Sequence, residues 1–194
     1  MKAPVILLTL LLPAALLAQE KPAAAPEATW LKEAELPRGF PAPGPSGKVI
    51  KKAYPAYRAA RTDTSGANIG FWTLFRHIKK NEIAMTTPVE MTMAESDQGS
   101  LEMSQMAFLY GKPDMGESGP DGRSVKVVDA PAMNVLSIAW RGPRSSARIA
   151  EHKNLLLAEA RKQGLKGSTF RVLGYNSPSV PRKDRTHELQ LILE

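Results

Sequence analysis

The chain contains no cysteine and only three histidines. The lack of cysteine excludes thiolate-bound metals, iron–sulfur clusters, a cysteine nucleophile and heme attached through a C-x-x-C-H motif. Because no disulfide can form, packing alone must stabilise the fold. A glycine-rich phosphate-binding loop and the H-E-x-x-H zinc motif are missing as well. These absences argue against several common classes of nucleotide-binding protein and metalloenzyme.

The sequence also lacks a recognisable set of catalytic residues. No Ser-His-Asp order stands out, and Asp129, Asp184 and Glu188 have no paired spacing. We therefore predict a protein that is not an enzyme, with no catalytic residue and no metal site of its own.

The charged residues give a formal net charge of +7. A moderate excess of this kind favours anionic partners. The basic residues are scattered, and no series of aromatic residues lies between them to stack on bases. We expect a solvated basic surface and no nucleic-acid partner.

The first 47 residues differ in composition from the remainder. Residues 1–18 combine Lys2, an apolar run broken by Pro13, and Ala18 at a plausible cleavage point, which is typical of a secretory signal peptide. Residues 19–47 are rich in Ala and Pro and are predicted to be a linker. The expected location is therefore periplasmic or secreted, with no transmembrane span after cleavage.

Residues 48–194 are predicted to form one domain made of two similar halves. In the first half, two strands between Lys48 and Arg61 precede a helix from Gly66 to Lys80, whose apolar residues recur at helical spacing. Strands over Ile83–Met93 and Leu101–Tyr110 follow. This half has the order ββαββ.

The second half repeats that order. Strands are predicted over Val125–Val128 and Asn134–Trp140, and a helix over 145–163 is ended by Gly164. Two further strands are predicted over Phe170–Leu173 and Glu188–Leu193. Strands interleaved with single helices favour an α+β fold with an antiparallel sheet.

Three segments carry a resemblance to a known family. The helix from Gly70 to Ile78 has the form G-F-x-x-L-F-R-x-I, and the string I-A-M-T-T-P-V follows at Ile83–Val89. An alternating segment broken by Tyr54-Pro55 precedes them, and G-Y-N-S-P at Gly174–Pro178 comes before the closing strand. In this order the segments resemble the SOUL heme-binding protein family over residues 48–194. The resemblance implies a distorted eight-stranded antiparallel barrel with two helices, similar to effector-binding domains of bacterial regulators.

The resemblance also implies a ligand, heme or a related tetrapyrrole, bound without a covalent link. Some members of the family ligate iron through a His in the opening strand. The matching residues of this chain, Lys51 to Tyr54, include no His. The chain is therefore similar to the branch that holds tetrapyrroles in an apolar cleft with basic residues. In that branch a basic helix residue meets a propionate, and Arg76 is its match. Val180 occupies the position of a second basic residue, with Arg182 and Lys183 close by.

The candidate cleft lies on the first helix and the strand after it. A guanidinium suits a carboxylate through bidentate hydrogen bonds, so Arg76 is expected to orient the ligand. His77 lies at the edge of the apolar stripe, where packing is more common than iron ligation. The expected ligand-binding residues are Phe71, Phe75, Arg76, His77, Met85 and Met91.

The other two histidines and Glu188 are given structural roles. We expect His152 to be exposed on the second helix and His187 to orient a turn or strand end. Glu188 is expected to accept hydrogen bonds near Thr86 or Tyr175.

Two other functions are consistent with the same residues. The surface proposed for the ligand can instead bind a protein partner in the cell envelope. Thioethers favour Cu(I), and five methionines fall on two predicted adjacent strands. Flexible packing in an apolar groove is the more common use of methionine, so we regard copper binding as the less favoured alternative. The five are Met85, Met91, Met93, Met103 and Met106.

Overall fold

The structure, a computed structural model, describes residues 30–194. The predicted signal peptide at 1–18 and residues 19–29 of the predicted linker lie outside the described residues. The elements are β1 (Val49–Tyr54), β2 (Tyr57–Asp63), α1 (Ala67–Lys80), β3 (Val89–Glu95), β4 (Leu101–Leu109), β5 (Gly119–Asp121), β6 (Val125–Ala130), β7 (Met133–Arg141), α2 (Ser146–Lys162), β8 (Thr169–Gly174) and β9 (Thr186–Ile192).

The nine strands form one antiparallel sheet in the order β1-β7-β9-β8-β3-β4-β2-β6-β5. Apart from β5, this order is symmetric about the β3–β8 pair, where each strand of one half has its counterpart in the other. The predicted α+β class and duplicated ββαββ halves are therefore confirmed. The sheet is open rather than a closed barrel, because β1 and β5 lie at its two edges, and it has nine strands rather than eight.

Both helices pack against the same face of the sheet. Leu74 and Ile78 of α1 and Leu156 and Ala160 of α2 are buried in one large apolar cluster with the sheet. Ser145 caps the start of α2, where its hydroxyl accepts a hydrogen bond from the Arg148 amide (3.3 Å). The buried residues of both helices recur at the helical spacing that the sequence predicts.

The strands of the structure differ from the prediction in two places. Residues 83–88 were expected to be strand, but β3 begins only at Val89. Pro88 has no amide hydrogen, and the Thr87 amide donates to the Glu35 carbonyl (3.0 Å) outside the sheet. The short β5 was not predicted, because Gly119-Pro120-Asp121 has the composition of a turn.

The opposite face of the sheet is partly covered by residues 30–47, which we call the strap. The Phe40 ring lies 5.0 Å from the Tyr54 ring and 5.2 Å from the Tyr57 ring, between centroids. Trp30 packs edge-on against Tyr175 at 5.3 Å. This described part of the predicted linker is packed against the domain and adds to a second apolar cluster.

The helices of residues 30–194 are too short or too polar to cross a membrane.

Candidate functional site

An exposed apolar ridge runs along α1, and we call it the α1 ridge: Ile69, Trp72 and Phe75. Ile69 is 71% exposed and Trp72 is 58% exposed. The rings of Trp72 and Phe75 meet edge to face with their centroids 5.6 Å apart. The ridge exists because Leu74 and Ile78 turn the other face of the helix into the core.

Aromatic packing holds the ridge against the sheet. Phe75 is half-buried and stacks on Phe71 with centroids 6.0 Å apart and planes 11° apart. Phe71 in turn packs edge-on against Phe108 of β4 at 5.2 Å. Trp72 and Phe75 therefore rest on aromatic side chains that reach the sheet.

Positive charge borders the α1 ridge. Arg76 is exposed, and it follows Trp72 by four residues, so the two share one side of the helix. The Lys79 ammonium lies 5.6 Å from the centre of the Phe75 ring. The surface thus combines aromatic faces with two cations.

Four of the six predicted ligand-binding residues share one apolar cluster, and Arg76 and His77 do not belong to it. Phe71, Phe75 and Met85 are half-buried against the large apolar cluster. Met91 belongs to the interior of that cluster, where its sulfur lies against the guanidinium of Arg144. These residues do not form one open cleft with Arg76.

His77, the sixth predicted residue, turns away from the α1 ridge. Its Nδ1 lies 2.6 Å from Oδ2 of Asp121, and its Nε2 lies 2.7 Å from the hydroxyl of Tyr110. A carboxylate only accepts hydrogen bonds, so Nδ1 carries a hydrogen and donates to Asp121. With both ring nitrogens engaged, ligation of iron by His77 requires the loss of one of these bonds.

The His77 side chain lines a cavity of about 590 Å³ beside β5. Hydrogen bonds from Lys80, His77 and Asn81 lower the pKa of Asp121 to about 2, so this carboxylate is charged at neutral pH. Burial, together with the charge of Asp121, raises the pKa of Tyr110 to about 12, so its hydroxyl stays neutral. The other walls mix polar residues with apolar ones, among them Ile83, Met115 and Val127.

The methionines form two pairs between neighbouring strands. Met91 lies opposite Met106, and Met93 lies opposite Met103, because a bulge between Thr92 and Met93 shifts the register. All four contact the large apolar cluster.

The expectation that His152 is exposed was wrong. His152 is 4% exposed, and its ring packs edge-on against Trp140 at 4.8 Å. It follows Ile149 by three residues and precedes Leu156 by four, so it lies on the buried stripe of α2. His187 packs against Trp140 as well, at 5.2 Å, from β9.

Glu188 is fully buried and binds several donors. Its Oε2 accepts from the hydroxyl of Tyr175 (2.7 Å), as predicted, whereas Thr86 instead donates to the Leu109 carbonyl. Its Oε1 accepts from the ammonium of Lys52 (2.7 Å) and from the Gly44 amide of the strap (2.7 Å). These bonds make Glu188 a structural residue in the centre of the sheet.

Across residues 30–194, no cluster of three or more His, Asp or Glu side chains has the arrangement of a metal site.

Sequence reasoning missed Ile69 and Trp72 of the α1 ridge. The sequence did contain a signal for them. Both residues lie outside the apolar stripe of the helix, and a large apolar side chain at such a position is exposed. It also missed Tyr110 and Asp121, which reach His77 only through the pairing of distant strands.

Comparison with known proteins places the chain in a family and a fold. The model of the SOUL heme-binding protein family matches residues 47–192. No curated protein matches the chain.

Solved structures share the fold at low sequence identity. A structure from Listeria innocua titled a hydrolase has a TM-score of 0.56 and 13% identity, over 78% of this chain and 94% of that one. An uncharacterized conserved protein from the same organism has a TM-score of 0.57 and 14% identity, over 77% and 94%. EcmrR in a complex with DNA has a TM-score of 0.57 and 11% identity, and the chain spans 57% of its length. At these identities the likeness shows the fold alone.

Proposed function

This chain belongs to the SOUL heme-binding protein family, and from that premise we propose that it is an exported, non-catalytic protein that reversibly binds heme or a related tetrapyrrole on the α1 ridge. The observation that carries the proposal is an exposed Trp72 beside an exposed Arg76 on one side of α1. A tetrapyrrole is a flat apolar ring with carboxylates at its edge, so it needs both.

The α1 ridge and the cations that border it have different tasks in this proposal. Ile69, Trp72 and Phe75 offer apolar and aromatic surface, and burial of such surface stabilises a complex by about 25 cal/mol per Å². Arg76 offers a planar pair of donors to a propionate, which fixes the orientation of the ring. Lys79 lies next to Phe75 and is available to a second carboxylate. Val180, at the position of the family's second basic residue, is buried and carries no charge, whereas Arg182 and Lys183 beside it are exposed.

This arrangement does not need an iron ligand. His77, Met85 and Met91 were expected near the ligand, and His77 and Met91 are engaged elsewhere, with Asp121 and Arg144. The ring itself, rather than the metal, is then the recognised part. Iron-free protoporphyrin and hemin are expected to bind with similar affinity.

The first experiment is a titration of the chain lacking residues 1–18 with hemin and with iron-free protoporphyrin, followed by absorbance and tryptophan fluorescence. Saturable binding of both with similar affinity supports the proposal. Binding of hemin alone indicates an iron ligand and contradicts recognition by the ring. Binding of neither contradicts tetrapyrrole binding and favours a protein partner in the envelope, for which exposed Trp and Arg are also suited.

A matched pair of variants tests the place of binding. Trp72→Ala removes the centre of the α1 ridge, whereas Leu155→Ala removes an exposed apolar residue of α2, which is 43% exposed. Only the first should weaken binding of protoporphyrin. Equal loss in both variants would show that the macrocycle binds elsewhere.

Copper binding is tested in the same preparation. The four paired methionines lie in or against the large apolar cluster, where packing accounts for them without a metal. Competition with a Cu(I) chelator should therefore show no protein-bound copper. Copper bound at one equivalent would contradict this and favour the methionine site.

A further inference from the structure

A second cavity, of about 280 Å³, lies on the face of the sheet opposite the helices. Glu90 and Thr92 of β3 line it, whereas Met91 and Met93, which alternate with them, point into the apolar cluster under the helices. It is therefore separate from the α1 ridge. Small-molecule sites in proteins are usually of about 300 Å³ or more, so this one suits a small ligand.

Arg171 provides a buried, fixed guanidinium at this cavity. The residue is 1% exposed. Its Nε donates to Gln190 Oε1 (2.8 Å), and its Nη1 donates to Glu90 Oε2 (2.8 Å) and to the Tyr57 hydroxyl (3.0 Å). Its Nη2 is buried and has no hydrogen-bond partner among the described residues. The guanidinium also lies over the Tyr54 ring, 4.7 Å from its centre, so its position is fixed from several sides.

Arg61 provides a second cation at the same cavity. It is half-buried on β2, and its Nε is buried without a partner in the described part of the chain. Arg61 and Arg171 come from strands that are separated by β4 and β3 in the sheet. Two guanidinium groups therefore line the cavity, one from each side.

The carboxylates of the cavity do not neutralise both arginines. Glu90 accepts from Arg171 and from the hydroxyl of Tyr57 (2.7 Å). Asp129 is paired with Arg58, through Nε at 2.7 Å and Nη2 at 2.9 Å. The charge of Arg61 is left over, which favours an anion.

The other walls combine the apolar side chains of Val128, Pro131, Met133 and Ile192 with the polar residues Gln105 and Thr169. From these observations we infer that the cavity binds a small monocarboxylate with a compact hydrocarbon group. The carboxylate accepts from the guanidinium of Arg61, the charge of Arg171 adds to the attraction, and the hydrocarbon lies on the apolar wall. The planar, paired donors of a guanidinium match the two oxygens of a carboxylate. The site is independent of tetrapyrrole binding, because it lies on the other face of the sheet.

The test uses the chain lacking residues 1–18 and benzoate as the probe, with benzamide as a neutral analogue of the same shape and inorganic phosphate as a second anion. Calorimetry measures affinity, and NMR follows the Nε–H resonance of Arg61. We expect saturable binding of benzoate, a shift of that resonance, and at least tenfold weaker binding of benzamide and of phosphate. Equal affinity for benzoate and benzamide would overturn the role of charge. Phosphate binding as tight as benzoate would overturn the carboxylate class, and no saturable benzoate binding would mean that the cavity holds only water.

The variant Arg61→Gln should weaken benzoate binding at least tenfold, the loss expected for a charge-assisted hydrogen bond. Arg61→Lys should restore part of it. Arg123→Gln makes the same charge change at an exposed residue between β5 and β6 and should bind as the parent does. Arg61 is preferred to Arg171 for this test, because Arg171 also pairs with Glu90 in the interior. Benzoate affinity that is unchanged in Arg61→Gln, or lowered equally in Arg123→Gln, would overturn the proposal.

Discussion

The ammonium of Lys52 and the carboxylate of Glu188 form an ion pair in the interior of the sheet. Nζ lies 2.7 Å from Oε1 and 3.0 Å from Oε2, and the two side chains are 6% and 0% exposed. Lys52 also donates to the Ala42 carbonyl of the strap (2.7 Å). The pair thereby joins β1, β9 and the strap at one buried point.

Removal of Lys52 alone should strongly destabilise the fold. Lys52→Met leaves the charge of Glu188 buried without its cation, and such a change costs about 3–5 kcal/mol. The double variant with Glu188→Gln should recover part of this loss, because no unpaired charge then remains. Urea unfolding followed by circular dichroism measures both. Lys51→Met, at the exposed neighbouring residue, is the control, and an equal effect there would contradict the role of the pair.

Acidification should destabilise the fold through His187. Burial, with the nearby charges of Arg144 and Arg185, lowers the pKa of His187 to about 4 from its usual 6.5. Between these values the unfolded chain binds more protons than the folded one, so stability falls as pH drops from 6.5 to 4. The loss is at most roughly 3 kcal/mol, and below the lower value it stops growing.

The free energies of unfolding of the parent and of His187→Gln, measured over this pH range, isolate the contribution of His187. The carboxylates titrate in both proteins, so their contribution cancels in the comparison. The parent should lose more stability than the variant. Parallel pH profiles would contradict the assignment. His152, whose pKa is also lowered by burial, acts in the same direction and stays present in both proteins.

Loss of Arg76 should weaken tetrapyrrole binding without unfolding the protein. Arg76→Ala removes a charge-assisted hydrogen bond to a propionate, worth about 1.5–3 kcal/mol. Because the side chain is exposed, the free energy of unfolding should change by no more than about 0.5 kcal/mol. Arg161→Ala on α2 is the matched control. Equal affinity of the two variants for protoporphyrin would speak against contact of Arg76 with the ligand.

Replacement of His77 should leave the Soret band of bound heme in place. Both ring nitrogens bind protein groups, so the iron has no free imidazole there. His77→Ala should still lower stability by about 1–3 kcal/mol, because the buried hydroxyl of Tyr110 loses its partner. Absorbance and thermal unfolding of the same samples separate the two effects. A shifted Soret band in this variant would identify His77 as an iron ligand.

The fold could be predicted wherever local spacing carries the signal. Leu74 and Ile78 repeat at four residues and mark the buried side of α1, and the two halves repeat one order of elements. His152 fits the same rule on α2, and its burial was missed because the residue type was given more weight than its position. Phe40, by contrast, stands among prolines, and composition gives no sign that it packs on Tyr54 and Tyr57.

The candidate site could be predicted only in part. Phe75 and Arg76 lie on one helix, so their proximity follows from spacing, and Trp72 was within reach of the same argument. Arg61 and Arg171 are brought to one cavity by the order of strands in the sheet. No local pattern contains that order, because each strand pairs with partners far along the chain.

The order of the sheet has a consequence for the history of the chain. The first strand of each half pairs within the other half: β1 joins β7, and β6 joins β2. A half of this chain expressed alone would therefore lack a neighbour for its first strand, whereas two copies of one half could exchange first strands and complete each other. An ancestral protein of half this length is then expected to have been a strand-swapped homodimer, and gene fusion would have joined its two copies into one chain with two interlocked repeats.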